Sequence, residues 1–545
     1  MEAVAGAAGS QLLCVAAMAA LALLLCAFIY AAWVSPAATR RRLRRAGFDG
    51  PRPSFPFGNL PEITATLKAS NKGALPLVPS SSSSGGEQGS ADMHASVFPY
   101  FARWRQAFGK VFVYWLGTEP FVYVSDPEFL KAATGGALGK RWGKPDLFRR
   151  DRMPMFGRGL VMAEGDEWAR HRNIIAPAFS ATNLDGMLGV MQRATDRMLA
   201  RWADAVANGG GVVDVERGVV RNAAEIIAEA SFGVDVADDD EAAGARVFEK
   251  LQAMQVMLFQ SNRLVGVPLG KLLHLRKTYE AWKLGREIDA LLVDIIDHRR
   301  RHGNNRSNNK DLLSLLLAGS KSTEQRRHLT TRELVDECKT FFFGGHETTA
   351  LALSWTLLML AAHPEWQDAL REEVEQEVGG EASSPLDAAA LGRLTKMGWV
   401  MSEVLRLYPP SPNVQRQALE DVDVVVGAAP DGNIPIPRGT NMWVDVVAMH
   451  RDPALWGDDA HQFRPERFAK DPLHGGCRHR MGFLPFGFGG RICVGRNLTA
   501  MEYRVVLAMV LRRFRLSVAP QYRHAPRIML SLRPSAGIQL HLTPL

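Results

Sequence analysis

Cysteine is scarce in this chain of 545 residues, which contains only five, and no two of them form a Cys-x-x-Cys pair. A disulfide scaffold or a four-cysteine zinc site needs more cysteines at closer spacing, so both are excluded. The scarcity favours a reducing compartment. With 47% hydrophobic and 22% charged residues, the composition also excludes disordered, collagen-like and fibrous chains, and we expect most of the protein to be globular.

A clustered basic face is also missing. The formal net charge is +8, but residues 1–45 hold five arginines and one glutamate, which leaves only +4 for the other 500 residues. Proteins that bind nucleic acid concentrate positive charge on one face or along one helix. We therefore predict that this protein has no nucleic-acid partner.

The first forty residues are almost free of charge, with none between Ala3 and Thr39. Leu12 to Val34 is a nearly unbroken apolar stretch of 23 residues, long enough for a helix to cross a bilayer. Five arginines follow it at 40–45, whereas a cleaved signal peptide carries its basic residues before the apolar segment. The pattern predicts a retained single-pass anchor over residues 1–45, with the domain formed by residues 46–545 on the cytosolic side.

Two familiar catalytic motifs are incomplete. His346-Glu347 begins like a zinc-protease helix, but the second ligand position, 350, holds alanine. The glycine-lysine pair that ends at Lys140 lacks both the first glycine and the Ser or Thr of a phosphate-binding loop. We therefore predict neither a zinc protease nor a nucleotide-binding protein.

Helical periodicity dominates beyond residue 90, and strand-like runs are few. We expect a mainly α fold with small β-sheets and treat the Ser-rich segment 80–90 as a surface insertion. The predicted helices lie near 185–207, 244–259, 278–300, 330–362, 364–378, 393–408 and 494–514, and the predicted strands are Val111–Leu116, Phe121–Val124, Val422–Val426, Asn441–Val447 and Ser531–Leu542.

One cysteine, Cys493, lies in a glycine-rich loop that begins at Pro485 and directly precedes a predicted helix. Glycines let the backbone curve around the sulfur, and the N-terminus of the helix is expected to lower the pKa of the thiol. A buried structural cysteine is the alternative, but it leaves the flanking Phe486 and Arg491 unexplained. A second unusual feature is Gly344-Gly345 within a predicted buried helix, which indicates that something approaches the backbone closely there.

The loop from Phe486 to Gly495 resembles the FGxGxRxCxG signature of the cytochrome P450 superfamily at every defined position. The resemblance implies the P450 fold, preceded here by one transmembrane helix, and a haem b whose iron is bound by Cys493. It implies further contacts with the haem or its propionates from Trp168, Arg172, Arg416, Phe486, Arg491 and Gly495.

Other segments resemble P450 motifs in the same order. Glu403 and Arg406 match the ExxR motif and, with Arg467, imply a buried structural triad. The sequence Gly344 to Thr349 matches the oxygen-activation motif, which implies that Glu347 and Thr348 are the catalytic acid and alcohol that deliver protons. Residues that face the substrate are, by the same resemblance, Phe341, Gly344, Gly345, Asn413 and Val414.

The implied activity is a monooxygenase that inserts one atom of O2 into a small apolar substrate, such as a terpenoid or a hormone-like compound. Electrons from NADPH would arrive through a separate NADPH-cytochrome P450 reductase, and the protein would sit in the endoplasmic reticulum membrane. The motifs look most like the plant clan that holds gibberellin, cytokinin and brassinosteroid hydroxylases. Two alternatives stay open: a haem-thiolate isomerase or dehydratase that needs no reductase, and a non-enzymatic haem sensor.

Overall fold

The computed structural model describes residues 2–70, 75, 77, 92–232, 241–260, 264–302, 312–319, 329–381, 385–426 and 432–545. Helices dominate these ranges and the β-sheets are small, which confirms the predicted fold class. The Ser-rich segment 80–90 lies outside the described residues.

A long helical segment begins the chain. It consists of α1 (Glu2–Ile29), a π-helical turn (Tyr30–Val34) and α2 (Ser35–Arg45). The stretch Leu12–Arg45 is long and apolar enough to cross a membrane, and its most apolar window has no side chain buried against the rest of the protein. The predicted N-terminal apolar helix is therefore confirmed. At the far end of α2, Leu43 is almost fully buried in a core that also contains Phe48 and Val122.

Helices α3 to α23 follow in the described ranges. They are α3 (Leu60–Ala69), α4 (Met93–Val97), α5 (Pro99–Phe108), α6 (Pro127–Thr134), α7 (Asp146–Asp151), α8 (Met153–Phe156), α9 (Gly165–Ile175), α10 (Ala181–Asp185), α11 (Leu188–Gly209), α12 (Val215–Phe232), α13 (Glu241–Gln260), α14 (Leu275–His302), α15 (Leu312–Gly319), α16 (Thr331–Ala362), α17 (Pro364–Val378), α18 (Ala388–Gly392), α19 (Thr395–Leu407), α20 (Val446–His450), α21 (Pro453–Trp456), α22 (Arg467–Lys470) and α23 (Arg496–Arg513).

The longest helix of the globular part is α16, and it is buried over most of its length. It begins with a capping box, in which the Thr330 hydroxyl accepts from the backbone N–H of Glu333 and the Glu333 carboxylate accepts from the backbone N–H of Thr330. It ends before His363, because a residue that precedes proline disfavours the helical conformation. The helix that packs most extensively against α16 is α12, which we did not predict from the sequence.

The strands form four small sheets. Five strands assemble in the order β1-β2-β8-β5-β3, three in the order β4-β12-β9, and two hairpins pair β6 with β7 and β10 with β11. Only the pairing of β2 with β8 is parallel among these. The strands are β1 (Val111–Leu116), β2 (Glu119–Val124), β3 (Trp142–Gly143), β4 (Val212–Asp214), β5 (Asn413–Ala418), β6 (Val422–Val425), β7 (Asn433–Ile436), β8 (Asn441–Asp445), β9 (Phe514–Val518), β10 (Pro526–Met529), β11 (Ser531–Pro534) and β12 (Gln539–Pro544).

Two predicted strands are shorter than expected. The run Ser531–Leu542 is divided between β11 and β12, because a turn at Gly537 (φ 74°) separates them, where a Cβ would lie 2.3 Å from the Asp214 carboxylate. The run Asn441–Val447 ends at Asp445, whose carboxylate accepts from the Ala448 N–H and begins α20. In both cases a local turn or cap interrupts a segment that looks like one continuous strand in the sequence.

A close backbone contact fixes the turn between β1 and β2. Gly117 has φ 62°, and a Cβ at this position would lie 2.1 Å from the backbone of Gly266. The N–H of Thr118 donates to the Gly266 carbonyl at 2.9 Å. Glycine is required here both by the left-handed backbone and by the approach of the second chain segment.

Candidate functional site

The loop before α23 holds its cysteine by a backbone contact. The N–H of Cys493 donates to the carbonyl of Phe486 at 2.9 Å. Gly487 and Gly489 have φ values of 77° and 65°, a left-handed conformation that glycine adopts at little cost. The loop therefore needs glycine at these two positions to close on itself. Cys493 lines a cavity of about 210 Å³.

Helix α16 forms another wall of this cavity. Phe341, Gly344, Gly345 and Thr348 of this helix all line it. Gly344 has open space where a Cβ would stand, whereas a Cβ on Gly345 would lie 2.4 Å from the Ile227 side chain. Because these two residues have no side chains, the backbone of α16 is accessible beside the cavity. This agrees with the close approach to the backbone that we expected from the sequence.

The pKa of the Cys493 thiol is not lowered, contrary to what we expected from the sequence. Burial raises its pKa, while backbone N–H groups of Gly495 and Arg496 and the charges of Arg172 and Arg496 oppose the rise. The helix N-terminus thus acts in the expected direction, but desolvation outweighs it. A metal cation bound to the sulfur reverses this balance, because a coordinating thiol is deprotonated.

Several cations surround the cavity. Arg172 lines it and donates to the Ile492 carbonyl at 2.9 Å. Arg491 lies over the Trp168 ring at 4.9 Å and donates to Glu164 at 2.7 Å. The residues Trp168, Arg172 and Arg491 are thus brought together at the cavity, as the resemblance implied.

Two further cations lie close to Arg491. Arg416 is buried over the Phe488 ring, and burial together with the charge of Arg491 lowers its pKa to about 10. Lys144 lines the cavity, and burial and the neighbouring arginines hold its pKa well below the usual value. The charge of Glu164 opposes this lowering of the Lys144 pKa.

This excess of positive charge is informative, because buried cations need anionic partners. A cavity with a cysteine sulfur and several cations fits a haem, which offers iron for the sulfur and two carboxylates for the cations. The sequence analysis missed Lys144 and Glu164, which lie in segments without a recognised motif.

The acid and the alcohol of the predicted catalytic pair are placed differently. The hydroxyl of Thr348 lines the cavity and donates to the Gly344 carbonyl at 2.7 Å. The carboxylate of Glu347 is buried and is not part of the cavity wall. It accepts hydrogen bonds from Ser531 and Gln255 instead, at 2.5 and 2.9 Å.

Glu403 and Arg406 of α19 form a fully buried ion pair with two contacts, at 2.7 and 2.8 Å. Arg406 also donates to three backbone carbonyls, those of His450, Ala460 and Gln462. Nε of Arg467 lies 3.5 Å from Oε1 of Glu403, so the structure brings the three predicted triad residues together.

Most of the remaining predicted residues are not part of the cavity wall. Asn413 and Val414 lie at the start of β5, where Asn413 pairs with Asp445 of β8. Neither of them, nor Phe486 or Arg416, is part of the wall, whereas Gly495 is.

Comparison with known proteins decides the family. The cytochrome P450 family profile matches residues 85–542. A rice protein named Cytochrome P450 714C2 is 34% identical over 528 residues, which cover 95% of this chain and 96% of that protein. The chain belongs to the cytochrome P450 family. An Arabidopsis cytokinin hydroxylase is 33% identical over 94% of both chains, and Arabidopsis Cytochrome P450 709B3 is 32% identical over 94% of this chain and 95% of its own.

Membership makes this P450 an oxidoreductase of the monooxygenase class, and it implies a haem prosthetic group and the use of O2. The N-terminal apolar helix agrees with a membrane anchor. The residues that fit the haem in this P450 are Cys493 and the cations beside the cavity, and they come from four separate parts of the chain.

Proposed function

We propose that this P450 hydroxylates an apolar, hormone-like small molecule, with electrons that pass from NADPH through a separate cytochrome P450 reductase. The observation that carries the proposal is one cavity lined by both Cys493, which carries a thiol, and Thr348, which carries a hydroxyl. One group is suited to hold iron and the other to pass a proton. The name of the related Arabidopsis cytokinin hydroxylase supports a hormone-like substrate.

The bound haem would supply oxygen activation and electron transfer. Cys493 would hold the iron, and Arg172, Arg416, Arg491 and Lys144 would bind the propionates and orient the ring. Because Gly344 has no side chain and has open space beside it, a small ligand would have room next to the helix. The Thr348 hydroxyl would hold a proton at the cavity, and Glu347 would replace it from outside the cavity wall.

We also propose the location of the protein. Residues 1–45 would anchor it in the endoplasmic reticulum membrane by a single span, and residues 46–545 would form the catalytic domain on the cytosolic side. The arginines at 40–45 support this orientation, because basic flanks stay in the cytosol. The orientation also places the domain where a membrane-bound reductase could reach it.

The first test is a carbon-monoxide difference spectrum of the reduced protein. The wild type should give the Soret band of a thiolate-ligated haem, and Cys493→Ala should lose it. Cys338→Ala is the matched control, because Cys338 is buried in α16 but does not line the cavity. A wild-type protein without the thiolate band would refute the haem assignment.

The second test uses the purified protein with a reductase and a panel of cytokinins, gibberellins and brassinosteroids. Hydroxylated product should form only when NADPH and O2 are both present. Product formed without NADPH would favour the isomerase or dehydratase instead, and no conversion with haem bound would favour the sensor.

A further inference from the structure

Glu347 is held outside the cavity by residues that come from distant parts of the chain. Its Oε1 accepts from the hydroxyl of Ser531, in β11, at 2.5 Å and from the amide of Gln255, in α13, at 2.9 Å. Ser531 and Gln255 are both buried, at 4% and 1% exposure. Two donors on one carboxylate oxygen fix the direction in which the side chain points.

The charged side chains near Glu347 lie farther from its carboxylate than Ser531 and Gln255 do. Nη1 of Arg533 lies 3.7 Å from Oε1, but Nη2 of the same guanidinium donates to Glu216 at 2.9 Å. Two buried carboxylates therefore share one cation. His346 Nε2 lies 3.8 Å from Oε2, and burial lowers the pKa of this imidazole. The neutral donors Ser531 and Gln255 therefore make the closest contacts to the carboxylate.

The turn that carries Ser531 is strained. Met529 of β10 pairs directly with Ser531 of β11, so a single residue, Leu530, closes the hairpin. Leu530 has φ 67°, a left-handed conformation that residues with a side chain rarely adopt. The Gln255 amide also donates to the Met529 carbonyl at 3.2 Å, which ties the turn and the carboxylate to one side chain. Strain that persists in a buried turn points to a functional constraint.

We propose that Ser531 and Gln255 are positioning residues that keep Glu347 outside the cavity, so that protons enter only through the Thr348 hydroxyl. This inference rests on the proposed monooxygenase function. When either donor is lost, the carboxylate gains the freedom to turn toward the cavity and would pass protons to O2 out of step with substrate oxidation. The two electrons from one NADPH and two protons would then leave with O2 as one molecule of hydrogen peroxide, and the substrate would stay unoxidised.

The test compares Ser531→Ala and Gln255→Leu with Ser354→Ala, each in the wild-type and the Glu347→Gln background. Ser354 is the matched control, because it is a fully buried serine of α16 that donates only to its own helix, at the Ala350 carbonyl. Double-mutant cycles of this kind separate an effect through Glu347 from a general structural effect.

The first measurement does not depend on turnover. It is the infrared C–O stretch of the carbon-monoxide complex without substrate, which responds to polar groups that enter the cavity. Ser531→Ala and Gln255→Leu should each shift or split this band, and Ser354→Ala should not.

The second measurement is the yield of product per NADPH oxidised, with hydrogen peroxide measured alongside. A hydrogen bond to a charged group is worth enough to lower this yield by about tenfold when it is lost, with KM unchanged. The proposal is overturned if the two variants behave like Ser354→Ala, or if their effects on the yield persist in the Glu347→Gln background. If Ser531→Ala does not accumulate as folded protein, Gln255→Leu decides by the same criteria.

Failure of the proposed function gives a different result. In that case the wild type itself shows no thiolate Soret band or no hydroxylated product. A wild type with both, together with normal yields and unshifted bands in the two variants, overturns only the positioning role.

Discussion

Replacement of Arg406 by methionine tests the stability of the chain most directly. The ion pair of Arg406 with Glu403 has no solvent exposure on either side chain. Removal of one partner from a buried pair costs about 3–5 kcal/mol, because the other charge stays buried without compensation. Three carbonyls also lose their donor, and each unsatisfied group adds about 1–3 kcal/mol.

The sum is comparable to the entire stability of a typical folded protein, about 5–15 kcal/mol. We therefore expect Arg406→Met to accumulate little folded, haem-containing protein. The matched control is Arg393→Met. Arg393 pairs with Glu377 at 2.6 Å, but the two side chains are 56% and 36% exposed, so the loss should be about 0–1 kcal/mol.

The assay is denaturant unfolding followed by circular dichroism, with the haem content of the purified protein as a second measure. The informative variant is the double replacement Glu403→Leu/Arg406→Met, which leaves no unpaired charge between these two positions. Its loss should be smaller than the sum of the two single losses by about 1–3 kcal/mol. Additive losses, or an Arg406→Met protein as stable as Arg393→Met, would refute the reasoning.

Three more predictions follow from single residues. Burial raises the pKa of Glu502 from near 4.5 to about 8, so the folded state holds a proton there that the unfolded state loses first. This difference in proton binding lowers the unfolding free energy as the pH rises from about 4.5 to about 8, and Glu502→Gln should flatten that fall. Gly117→Ala should lower the denaturation midpoint strongly, whereas Gly392→Ala, which has open space, should not. Lys144→Met should release haem to an apoprotein acceptor several-fold faster than wild type, while the exposed Lys140→Met should not.

The sequence predicted the parts of the site that lie in short, contiguous motifs. The loop of Cys493, the pair Glu403 and Arg406, and the glycines of α16 each carry their signal within about ten residues. Periodicity also predicted α16 and α23, because their apolar residues repeat at helical spacing over many turns.

Residues that act through long-range contacts were missed. Lys144 and Ser531 stand in segments that read as ordinary loop and strand, and only the fold brings them to the cavity and to Glu347. Helix α12 was not predicted because Glu216, Glu225 and Glu229 interrupt its apolar pattern. The structure shows that these acids are buried and paired with arginines. They therefore lie in the protein interior, although their charge predicts an exposed position from the sequence alone.

The burial of Leu43 has a practical consequence for making a soluble form of the enzyme. The end of α2 packs against the globular part of the protein, with Leu43 in a core that also contains Phe48 and Arg42 within 3.3 Å of Asp421. A truncation that begins after the arginines would remove a core side chain along with the anchor. A truncation between Val34 and Arg40 removes the exposed apolar stretch and keeps this contact intact.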